Sequence, residues 1–343
     1  MFKKIRKWVI FLTLLSVLIV FFFPSEKVIE LGCADKLGKT GRDRCEISIV
    51  EASKNEKHDQ ARKYIEIGAN HGNPKMQLAL GLLYESGDLG QEKNEQKALY
   101  WIEKSAKQDY AQGQRELGLL YEKGFVVEQN YAKAIELYKK SAEQGDMSAQ
   151  NDLGRVYADG KGVQQDYTQA VEWYRKAAEK GYKYAQSNLG KMYRNGWGVK
   201  QDYEIALQWY QKAAEKGYDL AQFELGIMYD KGLGVDQDYA QAMKWYQKAA
   251  EQGHANAQAL IGVLYHNGLG VEQNHRLALQ WYEKAAKQDF SPALTSIGYM
   301  YENGHGMEKN LIKAKEYFEK GCNLGSQSGC KRLELVKKEI SNS

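Results

Sequence analysis

The chain is 343 residues long and 43% hydrophobic, with only 3 prolines, so it can bury a sizeable core and favours helices. It carries 48 Lys and Arg against 44 Asp and Glu, and the excess of +4 comes entirely from Lys3, Lys4, Arg6 and Lys7. The remainder is formally neutral, which excludes a nucleic-acid-binding protein, because that function needs a concentrated basic face.

The basic run KKIRK precedes the uncharged stretch Trp8–Phe23, WVIFLTLLSVLIVFFF. Its 16 residues exceed the core of an ordinary signal peptide and fall just short of a typical membrane span. No small-x-small cleavage site follows, since the next residues are PSEKVIE. Residues 1–23 are therefore read as a signal anchor, with a cleaved signal as the alternative. The ELGC ending at Cys33 is a poor lipoprotein signal, because charged residues separate it from the apolar core. The basic N-terminus should stay in the cytoplasm, which places the rest of the chain across the membrane. The expected location is the periplasmic side of a bacterial inner membrane. Cleavage would instead leave a soluble secreted or periplasmic protein. Residues 24–55 fit no repeat register and are read as an extracytoplasmic linker. Residues 56–75, with DQARKYIEIGANHG, read as a lone capping helix.

From residue 76 to 328 the chain repeats. A Leu/Ile-Gly pair recurs with its glycine at Gly81, Gly118, Gly154, Gly190, Gly226, Gly262 and Gly298, and a tyrosine follows three residues after each. Such a period calls for a stack of identical supersecondary units. Each unit reads as two helices. Helix A carries an i, i+4, i+7, i+8 stripe such as Ala185, Leu189, Met192 and Tyr193. Gly196 ends it and Gly198 permits the following turn. Asp202 then opens helix B as an N-cap, in the slot of Asn94, Asn130, Asp166, Asp238, Asn274 and Asn310. Helix B carries Ala206, Trp209, Tyr210, Ala213 and Ala214, and Gly217 closes it. A glycine inside helix A costs about 1 kcal/mol against alanine. Close packing of a large aromatic against Gly190 would offset that cost. Val126 in place of the second loop glycine, one extra loop residue in the first unit, and Asp109 and Asp289 in place of the terminal glycine put single turns in doubt. Residues 329–343, with GCKRLELVKKEI, read as a charged capping helix.

The stretch AQSNLGKMYRNGWGVKQDYEIALQWYQKAAEKGY resembles the SEL-like repeat (SLR), a relative of the tetratricopeptide repeat. The matching positions are Ala185, Leu189-Gly190, Tyr193, Gly196-x-Gly198-Val199, Asp202, Ala206, Trp209-Tyr210, Ala213-Ala214 and Gly217. The resemblance implies an all-α, right-handed solenoid of seven helix-turn-helix repeats that serves as a scaffold for protein partners. The C-terminal CNLGSQSGC resembles cysteine-rich SLR proteins, in which this spacing staples consecutive helices, and so implies a Cys322–Cys330 disulfide. Cys322 stands in the slot of Ala178 and Ala214, and Cys330 in that of Gln150 and Gln186. Cys33 and Cys45 are candidates for a second bridge. Disulfides suit an exported chain, whereas reduced thiols in the same slots would belong to a cytosolic one.

Little else suggests chemistry. None of the six histidines forms HExxH or a Cys/His finger, so no metal or other cofactor is expected. His266 and His305 fall at or near helix A ends of neighbouring units, where surface histidines are common. Gly-x-Gly-Val follows a helix rather than a strand and lacks a Lys-Ser/Thr, so it is a turn and not a phosphate loop. The tyrosines recur at fixed slots and belong to the core. No nucleophile arrangement can be placed.

The expected function is non-enzymatic: a membrane-anchored scaffold that binds a protein or peptide partner, in cell-envelope assembly or signalling. The alternative, suggested by the cysteine-rich relatives, is a β-lactam-binding protein or weak β-lactamase. By analogy with tetratricopeptide solenoids, helix A should line the concave face. The side opposite its buried stripe holds Asn151 and Arg155, and in other units Leu78/Leu82, Arg115/Leu119, Ser187/Lys191, Phe223/Ile227, Ala259/Val263 and Thr295/Tyr299. A groove with a basic centre at Arg155 and Lys191 beside an apolar half of Phe223, Ile227 and Tyr299 is the expected binding site. Burial of some of these residues under neighbouring helices is the competing reading. The loop residues Phe125 and Trp197 are further candidates.

Overall fold

The computed structural model describes residues 57–342 together with Cys45, Ser48, Ile49 and Ala52. The apolar segment 1–23 and Cys33 lie outside the described residues. Among those residues the chain is an all-α solenoid of helix pairs with sixteen helices and no strands. No described helix is long and apolar enough to cross a membrane.

The chain divides into two compact units, residues 1–166 and 167–343. The first contains α1 (His58–Asn70), α2 (Pro74–Ser86), α3 (Glu95–Lys107), α4 (Ala111–Lys123), α5 (Tyr131–Glu143) and α6 (Met147–Asp159). The second contains α7 (Tyr167–Glu179), α8 (Lys183–Asn195), α9 (Tyr203–Glu215), α10 (Asp219–Lys231), α11 (Tyr239–Glu251), α12 (Ala255–Asn267), α13 (His275–Ala286), α14 (Ser291–Asn303), α15 (Leu311–Asn323) and α16 (Gln327–Ser341). Within each unit a helix packs chiefly on its neighbours in sequence. The even-numbered helices are the A helices. The first begins at Pro74, because Asn73 caps it by accepting from the N–H groups of Lys75 and Met76 and Pro74 fits the first turn. Likewise Ser326 caps α16, which starts at Gln327. Both starts lie two residues before the boundaries that the repeat pattern suggested.

Asn94, Asn130, Asp202, Asp238, Asn274 and Asn310 each accept a hydrogen bond from the third N–H of a helix B. Each A helix of the repeats ends on a left-handed glycine, Gly196 among them with φ +69°. The aspartates that replace the terminal glycine do not alter the turn. Asp109 and Asp289 both adopt φ +56°, a conformation that a short polar side chain tolerates. Val126 does differ, because it does not take the positive φ of the second loop glycine.

The glycine inside helix A faces an aromatic ring of helix B. A Cβ on Gly190 would lie 3.0 Å from the Tyr210 ring, and on Gly226 2.5 Å from the Tyr246 ring. Both rings are fully buried. The expected packing role of this glycine is what the structure shows. The alanines Ala206 and Ala213 are also fully buried beside Tyr210.

Four residues near the end of the stretch 24–55, whose structure the sequence left undefined, are described. Cys45, Ser48, Ile49 and Ala52 are helical, and Cys45, Ile49 and Ala52 are buried against Tyr64, Ile65 and Leu80. Their spacing is i, i+4, i+7, the stripe of one helix face.

Candidate functional site

Helix A has little free surface opposite its core stripe, contrary to expectation. Leu78, Ser187, Ala259 and Thr295, the first residues of four of the pairs, are buried. The Thr295 hydroxyl shares a 2.9 Å hydrogen bond with that of Ser326 in the following turn. A stacked helix pair meets a neighbour on each side, so these positions become interface and not groove.

Arg155 is tied down in the same way. Its two terminal nitrogens donate to the two carboxylate oxygens of Glu122 at 2.7 and 2.6 Å, and the Tyr138 hydroxyl donates to the same carboxylate at 2.7 Å. Burial acts to raise the Glu122 pKa, but the hydrogen bonds from Arg155 and Tyr138 outweigh it and hold the carboxyl below its usual range. Arg155 is therefore a half-buried strut between two A helices, not a free basic centre. Arg115 makes a similar strut, donating to Asp152 at 2.6 Å. Burial pushes the Asp152 carboxyl up despite Arg115 and Arg155. In the second unit Arg194 pairs with Glu224, and Arg332 grips both oxygens of Glu302. Asn151 is half-buried on α6.

The apolar half is largely spoken for as well. Phe223 is half-buried, stacks on His254 at 4.5 Å and tilts against Tyr246. Ile227 packs against the same cluster. Tyr299 remains 38% exposed, edge-on to Phe318 and beneath the Arg332 guanidinium at 5.3 Å.

Three candidates stay open. Phe125, in the first unit, is 79% exposed on its loop. In the second unit Trp197 is 37% exposed and stacks on Tyr167 at 5.4 Å, with the Lys191 ammonium 5.3 Å from its ring. Lys191 comes from helix A and Trp197 from the loop beyond it, so the structure joins two residues that the sequence had placed in separate groups.

The structure links Cys322 to Cys330 by a disulfide, with their Cα atoms 4.6 Å apart. Cys45 is also disulfide-bonded. The 322–330 link replaces a repeated hydrogen bond. In the same slots Gln150, Gln186, Gln222 and Gln258 each donate to the carbonyl of Ala142, Ala178, Ala214 or Ala250, always eight residues back.

One grouping escaped sequence reasoning. His266, His275 and His305, distant in sequence, each offer one possible ligand nitrogen, and these atoms lie within 4.8 Å of one another. All three side chains are half-buried. Burial first, then the neighbouring His275 and His305, pushes the His266 pKa down and favours a neutral ring. Among the described residues this is the one group of three or more histidines, cysteines or carboxylates placed to hold a metal ion.

Against known proteins, the family model described as "Sel1 repeat" matches residues 74–110, 111–146, 148–182, 183–218, 219–254, 255–290 and 291–326. Among solved structures, the chain is similar to c5321, a protective antigen of uropathogenic Escherichia coli strains displaying an SLR fold. That match has 32% identity and a TM-score of 0.71, and covers 92% of this chain and 65% of that one. The chain therefore spans less than two thirds of that relative. A Sel1 repeat protein from Oxalobacter formigenes is 37% identical, with a TM-score of 0.62, over 70% of this chain and 95% of that one. No curated protein matches.

Proposed function

The chain belongs to the Sel1 repeat family, and from that premise we propose that it is a membrane-anchored, extracytoplasmic scaffold that captures a protein partner through Trp197 and its surroundings. Sel1 repeats generally mediate protein–protein interaction, and such solenoids are generally non-enzymatic. The observation that carries the site is exposed Trp197, stacked on half-buried Tyr167 with the exposed Lys191 beside its ring. The fold has no need of a tryptophan there, since the equivalent slot holds Lys161, Leu233 or Leu269. An exposed aromatic beside a cation suits a peptide that brings an apolar anchor and a carboxylate. Anchoring rests on the basic run and uncharged stretch of residues 1–23.

The test is crosslinking affinity capture from membranes, comparing wild type with Trp197→Ala and Lys191→Glu. Both variants should lose most of the captured partner while keeping their unfolding midpoint, because neither side chain is in the core. Equal capture by all three proteins would overturn the site. A C-terminal reporter active only in the cytoplasm would overturn the topology. Turnover of nitrocefin would overturn the non-enzymatic reading in favour of a β-lactamase.

A further inference from the structure

The three histidines occupy repeat slots that hold other residues elsewhere. His275 takes the first position of a helix B, where Tyr167, Tyr203 and Tyr239 stand in other repeats. His305 takes the middle of the Gly-x-Gly turn, the slot of Trp197 and Leu269. His266 is the penultimate residue of a helix A, the slot of Asp230. The repeat backbone brings the first two slots together. A Cβ on Gly306 would lie 2.8 Å from the His275 Cβ, and one on Gly198 2.3 Å from the Tyr167 backbone, so only glycine lets the loop lie this close to the preceding helix B. Where those slots hold Tyr167 and Trp197 the rings stack at 5.4 Å, and where they hold His275 and His305 they stack at 4.9 Å. His266 closes the third side, 4.8 Å from His275 and 5.1 Å from His305 between ring centroids.

Stacking alone asks for two aromatic rings and does not need histidine at all three positions. It also leaves a cost. The Nδ1 atoms of His266 and His275 are buried and make no hydrogen bond within the protein. A buried polar atom without a partner is unfavourable and calls for an explanation. We propose that His266, His275 and His305 form a binding site for a first-row divalent metal ion, with zinc as the ion that fits. Imidazole nitrogens suit zinc, and the absence of a carboxylate among the three argues against magnesium or calcium. Three imidazole ligands would leave a fourth tetrahedral position for water. Zinc–nitrogen bonds of about 2.0–2.1 Å require ligand atoms about 3.3 Å apart. The side chains must therefore draw in from their present separation of up to 4.8 Å. Partial exposure gives the ion a path in, and ring rotation supplies the closure. A bound ion would link α12, α13 and the loop after α14, so it would fasten two successive repeats.

The probe is zinc chloride, added to tag-free, chelator-treated, full-length protein with its disulfides intact. Equilibrium dialysis should show a saturable zinc site, and zinc should raise the unfolding midpoint. Cobalt in its place should give the visible bands of a tetrahedral site. His275→Tyr and His305→Trp each introduce the residue that another repeat carries in that slot, where Tyr167 and Trp197 stack, so both should fold as the wild type does. Each should bind one zinc fewer per chain, or bind that ion at least tenfold more weakly, and show no zinc-dependent rise in midpoint. His71→Ala, in the first unit, should bind as wild type does. No saturable binding, or binding that both substitutions at the cluster leave unchanged, would overturn the proposal.

Discussion

The contact between helix A glycine and helix B aromatic can be tested by adding one methyl group. In Gly226→Ala the new Cβ would sit 2.5 Å from the Tyr246 ring, well inside contact distance. The ring has nowhere to go: it is fully buried, and its hydroxyl donates to Asp230 at 3.0 Å. Alanine gains about 1 kcal/mol of helix propensity. Overpacking a close-packed core costs about 1–3 kcal/mol, and a clash this deep belongs at the upper end. The net expectation is a loss of about 1–2 kcal/mol. Gly190→Ala is the control. Its Cβ would stand 3.0 Å from the Tyr210 ring, whose hydroxyl has no hydrogen-bond partner to hold it in place. There the propensity gain and the smaller clash should nearly cancel. Urea unfolding followed by circular dichroism gives the ordering. Hydrogen exchange should localise the Gly226→Ala loss to α10 and α11, because a repeat contacts chiefly its neighbours. A second change, Tyr246→Leu, makes room for the methyl and should cost less in the Gly226→Ala background than alone. If Gly226→Ala is as stable as wild type or more so, the packing explanation of the repeat glycine fails.

Replacing the disulfide by the residues of its repeat slots, Cys322→Ala with Cys330→Gln, should restore the glutamine-to-carbonyl hydrogen bond yet lose roughly 2.5 kcal/mol of loop-closure stabilisation. Hydrogen exchange should place that loss in α15 and α16, and exchange unchanged there would refute it. His254 caps α12 by accepting from the Ala257 N–H through Nδ1, which requires a neutral ring. Burial pushes its pKa below 6.5 against the pull of Asp219. The unfolded chain therefore takes up the proton first, and stability should be full above pH 6.5 and fall as the pH drops through and below that value. His254→Asn keeps a cap without this titration. Thermal unfolding across pH 7 to 5 should show a shallower decline for the variant, and parallel curves would refute the assignment.

The repeat was legible because backbone requirements recur with it. Leu-Gly, the two loop glycines and the Asn or Asp cap are each demanded by one local geometry, so seven returns of the pattern specify seven helix pairs. The partner surface was not legible for the opposite reason. A helical wheel has one buried side, but a helix in a stack has a second, against the next pair. Thr295 and Ser187 are buried there although a single helix pair gives them no reason to be. Arg155 looked free because Glu122, 33 residues away, sits at the end of the preceding helix A. The same effect hid the histidines. His266, His275 and His305 have no ligand spacing along the chain, and only the contact of one loop with the preceding repeat brings them together. A signal was available nonetheless. Aligning the repeats by slot shows histidine replacing tyrosine at 275 and a loop residue at 305, and Gly306 marks the two slots as neighbours.

If backbone geometry rather than local accident builds that cluster, it should be transferable by one repeat. The slots 36 residues earlier hold Asp230, Tyr239 and Leu269. The apposition there is the same, since a Cβ on Gly270 would lie 2.7 Å from Tyr239, as one on Gly306 lies 2.8 Å from His275. Asp230→His, Tyr239→His and Leu269→His together should therefore create a second three-histidine site in the same unit. The change sacrifices two side-chain hydrogen bonds, an exposed one from Gln237 to the Tyr239 hydroxyl and one from Tyr246 to Asp230; the second costs about 1–3 kcal/mol because it leaves the buried Tyr246 hydroxyl unsatisfied. Phe318, which occupies the Tyr246 slot beside Gly298, shows that the fold accepts a ring there with no hydroxyl, so adding Tyr246→Phe should recover part of that loss. Zinc dialysis should then count one more ion per chain than for wild type. An unchanged count, in a protein whose far-ultraviolet dichroism matches wild type, would mean that slot geometry alone does not make the site.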